Sequence, residues 1–219
     1  MQLEDSVDPL ASAKADTGLS AVIAAIGKTL ADLDPGPLAE LRRMSLEGDD
    51  WGAPYFHRLA ARHDLRGNQS HERAWARIVQ IMAILTEKGR NEGKHSPHTS
   101  RTQESRRGLG TALCDGGDRS WPQPGKSPSP LFSEQRLARL LAAKGEMRAT
   151  LMERTARMLA AKKPASTGID CVGIADFLLR PDHPDPVRRI ARDYYARLDR
   201  AEYRSADAAD TDAAPGDDA

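Results

Sequence analysis

Residues 71–88 read HERAWARIVQIMAILTEK, the longest and most apolar helical segment of the chain, and the spacing predicts that it ends at Gly89. The same spacing recurs on either side. Leu19, Ile23, Ile26, Leu30 and Leu33 form a helical stripe before the breaker PGP at 35–37. LAELRRM at 38–44 gives a second helix, and PYFHRLAARH at 54–63 a third, with Pro54 at its first turn. After a polar loop from Gly89 to Gly108 comes the short helix LGTALCD at 109–115. DGGDRSWPQPGKSPSP at 115–130 is rich in Gly, Pro and Ser and reads as a linker. Helices follow at 132–144 and 146–162, then a shorter one after Asp170, whose carboxylate suits an N-cap, and a last one at 185–204. β-branched residues are few and never alternate over a strand length, so an all-α protein without a sheet is expected. The first 17 residues form a variable extension, and the acidic tail at 205–219 is expected to be disordered.

At 219 residues the chain can bury a proper core. Its 32 basic and 32 acidic side chains cancel, but their distribution is uneven. Residues 1–40 carry two basic and seven acidic groups, residues 205–219 none and five, and the middle is left with a net charge of +10. Most of the cations there are arginines, whose planar fork suits phosphate. Cys114 and Cys171 lie far apart without metal spacing, which points to a reduced, cytoplasmic chain. The start MQLEDSVD is acidic and unlike a signal peptide, and LSAVIAAIG is too short to span a bilayer. Without a secretory signal, the Asn68-Gln69-Ser70 sequon reads as chance.

Several patterns resemble chemical motifs and fail. GRNEGKHS at 89–96 imitates a phosphate-binding loop, but its glycines are one residue too close and His95 stands where Ser or Thr would hold magnesium. It also follows a helix and leads into more loop. HERAW at 71–75 imitates a zinc-protease helix, but Trp75 replaces the second histidine, so it reads as a helix start with its aromatic turned to the core. His95 and His98 have no Cys or carboxylate cluster near them, and Asp49-Asp50 suits turn capping better than acid–base work. No nucleophile elbow is present. No enzyme, cofactor or metal is expected.

What remains is cationic. Between residues 88 and 107 stand Lys88, Arg90, Lys94, Arg101, Arg106 and Arg107 against Glu92 and Glu104. Arg42 and Arg43 are adjacent on a short helix. Arg136 and Arg139, then Arg154 and Arg157, recur three residues apart on successive helices, so each pair shares a face. Solvated surface charge explains any one pair; together they fit a protein lying along a phosphate backbone. A free-standing helical DNA-binding regulator and a helical protein adaptor are the competing readings.

The order of LAELRRMS, WGAPYFHRLAARH, AWARIVQIMAILT, RGLGTAL, SEQRLARLLAAKGE, LMERTARMLA, IDCVGIADFLL and RRIARDYYARL resembles the CasB family, over roughly residues 36–200. That family is the small subunit of the type I-E CRISPR surveillance complex, Cascade. The resemblance implies a non-catalytic protein of two small helical bundles, here 18–114 and 131–204. It implies as partners a second copy of itself, other Cascade subunits, guide RNA and target DNA, and a role in holding the R-loop and displaced strand through backbone contacts. By position it assigns nucleic-acid contacts to Arg42 and Arg43 first, then Arg136, Arg139, Arg154 and Arg157, with Lys94, Arg101 and Arg107 from the variable loop. Cys171 and Ile190 replace aromatics common in relatives, and are expected to repack the core.

Overall fold

The structure, a computed structural model, describes residues 9–48, 51–86, 107–123, 126–162 and 167–212, with side chains from Gly18 to Ser205. Lys94, Arg101, His95, His98 and Asp49-Asp50 lie outside these, as does nearly all of the 89–108 loop. The described residues form nine α-helices and one isolated antiparallel bridge between Ser45 and Gly52. Among them no helix is long and apolar enough to cross a membrane.

The first four helices are α1 (Pro9–Asp32), α2 (Pro35–Arg43), α3 (Pro54–His63) and α4 (Gln69–Leu85). Pro35 and Pro54 occupy first turns, where a missing N–H costs nothing. Asn68 caps α4 by accepting from the His71 N–H at 2.9 Å. Helix α4 ends at Leu85, short of the expected Gly89, with Thr86 extended as its C-cap. Three more, α5 (Leu109–Asp115), α6 (Glu134–Ala142) and α7 (Gly145–Lys162), lie close to their expected bounds. α8 (Cys171–Leu179) starts at Asp170, whose side chain accepts from the Val172 N–H at 3.0 Å, as its sequence suggests. The last helix, α9 (Pro184–Asp212), runs eight residues beyond the expected 204, through a stretch whose alanines at 206, 208 and 209 favour helix.

α4 is the hub. Trp75, Ile78, Val79, Ile81, Met82 and Leu85 are all buried, so the helix is apolar around most of its circumference and needs neighbours on every side. Each large side chain so buried contributes roughly 1.5–3 kcal/mol. Its neighbours are α1 and α2 from before residue 115, and α7 and α8 from after residue 130. The expected division into 18–114 and 131–204 therefore does not appear in the packing. One buried cluster runs from Ile23 to Leu198, since helices from one half alone do not cover α4.

The 115–130 segment likewise does not hang between halves. The Leu131 and Phe132 N–H groups donate to the carbonyls of Cys114 and Leu113 at 2.9 and 3.0 Å, folding the segment back on α5. α5 packs closely against α9, and Gly110 permits it. A Cβ there would lie 2.1 Å from the Ile190 carbonyl oxygen and 2.8 Å from the Tyr194 nitrogen. Cys171 and Ile190 are both buried, as core substitutions would be.

Candidate nucleic-acid interface

Ser133 caps α6, and the helix turns Leu137 and Leu140 inward while Arg136 and Arg139 face solvent. On α7, Met152, Thr155, Ala156 and Leu159 are buried and Arg154 is exposed. The two helices enclose a groove of about 370 Å³ that brings Arg136, Arg139 and Arg154 together. Its floor is apolar, formed by Phe132, Leu140, Leu151 and Met158. No carboxylate lines it, and among the described residues none of the three guanidinium groups has an ion-pair or hydrogen-bond partner. Three uncompensated cations at one mouth create a field that favours an anion.

The track continues towards α2. Arg157 stands one turn beyond Arg154 and bonds Glu153 Oε1 through Nε at 3.0 Å and Nη2 at 2.8 Å. The same Nη2 reaches the Arg42 carbonyl at 3.2 Å, which ties α7 to the end of α2. Glu153 also receives Arg77 from α4, so its charge is shared between two arginines. Arg43 beside this junction is exposed and has no side-chain partner among the described residues.

Arg42 is used differently. Its Nε donates to the Ala83 carbonyl at 2.8 Å and its Nη2 to the Thr86 carbonyl at 2.7 Å. These belong to the last turn of α4, which lacks intrahelical donors. Burial pushes the Arg42 pKa down. Arg107 is similarly engaged: its Nη1 lies 2.5 Å from Asp115 Oδ1, while Arg197 Nε lies 2.9 Å from Oδ2 of the same buried carboxylate. Of the nine expected contact residues, Arg42 and Arg107 thus turn inward to the fold's own acceptors and Arg157 is partly engaged by Glu153 and the Arg42 carbonyl, while Arg43, Arg136, Arg139 and Arg154 have no such partner among the described residues.

The groove's apolar floor escaped sequence reasoning. Its signal was nevertheless present, because Leu140 and Met158 lie four residues beyond Arg136 and Arg154 and are their neighbours along the helix surface. Arg148 also passed unnoticed. It is buried, with its guanidinium 4.5 Å from the Phe177 ring centroid and hydrogen-bonded to the carbonyls of Ala143, Phe177 and Pro181.

The HERAW segment behaves as a helix start. Trp75 is buried and its Nε1 donates to His71 Nε2 at 3.0 Å. Among the described residues no three His, Cys, Asp or Glu side chains gather to hold a metal. Burial and the adjacent Asp115 push the Cys114 thiol up to about 12, far from the range in which a thiolate nucleophile forms at neutral pH.

Residues 37–195, from the first turn of α2 into the first half of α9, match the family model of CRISPR-associated protein Cse2. No curated protein sequence matches the chain. The fold is similar to that of a chain in the crystal structure of E. coli Cascade bound to a PAM-containing double-stranded DNA target. The two share 20% identity over 81% of this chain and 96% of that one, with a TM-score of 0.54. With the family match covering most of the helical framework, the chain belongs to the Cse2 family of CRISPR-associated proteins.

Proposed function

We propose that this chain is the non-catalytic small subunit of a type I-E Cascade, acting in the cytoplasm beside the other Cascade subunits and a second copy of itself. In that setting it binds nucleic-acid backbones and stabilises the R-loop formed by guide RNA and target DNA, together with the displaced strand. The observation that carries the reading is the groove: three arginines from adjacent helices, unpartnered among the described residues, in a chain of zero formal net charge. R-loop formation is a nearly balanced exchange of base pairs, so a few backbone contacts can tip it. Each neutralised phosphate releases counterions, which gives binding that ignores sequence and weakens with salt.

Within this proposal Arg43, Arg136, Arg139 and Arg154 contact phosphate, and Arg157 does so with the two N–H donors of its Nη1. Arg42 and Arg107 support the track from inside the fold, and Lys94 and Arg101 extend it from the 89–108 loop. The reading is tested by assembling Cascade with and without this subunit and following target-DNA retention and strand opening. Omission should shorten retention and reduce opening; equal behaviour of the two complexes would refute the proposal.

A further inference from the structure

A track that held only backbone would need cations and no apolar floor. The α6–α7 groove has both, and we infer that it seats an unstacked nucleobase of a single strand while its arginines hold the flanking phosphates. This inference rests on the nucleic-acid reading of the same groove and narrows its ligand from any phosphate backbone to a single strand with a base turned out.

The floor consists of Phe132, Leu140, Leu151 and Met158, and the rim of Arg136, Arg139 and Arg154. Phe132 and Leu140 are buried with the core beneath, while Leu151 and Met158 are half-buried and give the floor its open face. Thr155, the other polar residue lining the groove, turns its hydroxyl to the Leu151 carbonyl at 2.7 Å and so offers no donor for reading a base edge. Glu134 on the same helix is engaged by the Tyr195 hydroxyl at 3.2 Å and does not line the groove. The chemistry left is an apolar surface and the flat faces of three guanidinium groups. Such a site takes the π-face of any base and, with its guanidinium donors occupied by the flanking phosphates, discriminates little between bases, because stacking is common to all four.

Charge complementarity selects the occupant. An apolar protein segment would leave three arginines without partners, whereas a single strand supplies one phosphate per nucleotide along with the base. A duplex supplies the phosphates but keeps its bases stacked inside, out of reach of the floor.

The test uses the full chain and three labelled probes followed by fluorescence anisotropy: a single-stranded oligonucleotide, the same strand carrying a run of abasic sites, and the matching duplex. The intact strand should bind about five- to tenfold tighter than the abasic strand, and tighter than the duplex. Met158→Ser should bring the intact strand towards the abasic affinity while leaving abasic binding unchanged, and Met158→Leu should preserve the preference. Equal, salt-sensitive binding of intact and abasic strands overturns the base seat and leaves the backbone reading standing. Duplex binding as tight as single-strand binding likewise overturns the base seat. Absence of binding to every probe at low salt overturns both readings.

Discussion

Arg42 and Arg43 are adjacent in the chain, and the fold sets them to opposite tasks. Arg42 donates to two carbonyls at the end of α4, whereas Arg43 projects into solvent. Hydrogen bonds from a charged donor contribute about 1.5–3 kcal/mol, so Arg42→Ala should destabilise the protein by about 2 kcal/mol and lower Tm by roughly 4–8 °C. Arg43→Ala, lacking such partners, should stay within about 0.5 kcal/mol of wild type while weakening nucleic-acid binding. Thermal melts of the two variants decide this, and equal stability losses would remove the distinction. The sequence carried no means of making it. Both arginines follow LAEL on one short helix, and which of them meets the α4 terminus depends on how α2 crosses α4. Arg136, Arg139 and Arg154 were more legible, because amphipathic spacing on α6 and α7 already assigned them to the outer face. Spacing within one helix could not say that α6 and α7 would pack side by side and merge those faces into one groove.

Among the helices, the α5–α9 pairing makes the sharpest demands. Gly110→Ala would drive a methyl into the α9 backbone, at 2.1 Å from the Ile190 carbonyl oxygen, and should cost about 2 kcal/mol or more as α5 lifts away. Gly173 on α8 is the opposite case: an added Cβ meets nothing within 4 Å, so Gly173→Ala should stabilise by roughly 0.5–1 kcal/mol. Urea denaturation of the pair should give changes of opposite sign, and a neutral Gly110→Ala would contradict the packing described. The same interface predicts an alkaline limit. Burial raises Cys114 from its ordinary 9.0 to about 12, and it raises the Tyr194 phenol as well. The unfolded chain releases these protons at lower pH than the folded one. Above about pH 9 the folded state therefore binds more protons, so the contribution of these two groups should be level below that pH and stability should fall above it. Chemical denaturation at pH 8 and pH 10.5 measures the difference, which Cys114→Ala should reduce. In the sequence, RGLGTAL showed that a short helix follows a loop, and nothing in it marked Gly110 as a point of close approach. The partner of that approach lies about eighty residues away, beyond any local pattern.

The protein as a unit has one continuous core, and that has thermodynamic consequences. Since α4 is covered by helices from before and after the 115–130 segment, the chain should unfold in a single cooperative transition, with calorimetric and van't Hoff enthalpies in agreement. Two separable transitions would restore the division into bundles that the family resemblance implies. The all-α class and most helix positions were readable from apolar periodicity, proline placement and capping residues. The architecture was not, because Gly, Pro and Ser content shows where a helix cannot continue and says nothing of what packs across the gap. Charge was legible in the same partial way, as a cationic middle between acidic ends. The measurement that bears hardest on the functional account is target-DNA retention by reconstituted Cascade carrying the Arg136→Ala, Arg139→Ala, Arg154→Ala triple variant of this subunit. These side chains are exposed and have no partner among the described residues, so the variant should fold and assemble normally. The account predicts faster loss of target DNA and a dependence of log affinity on log salt that is shallower by about 2, as expected for three lost contacts to a single strand. Retention and salt dependence equal to wild type, in a fully assembled complex, would contradict it.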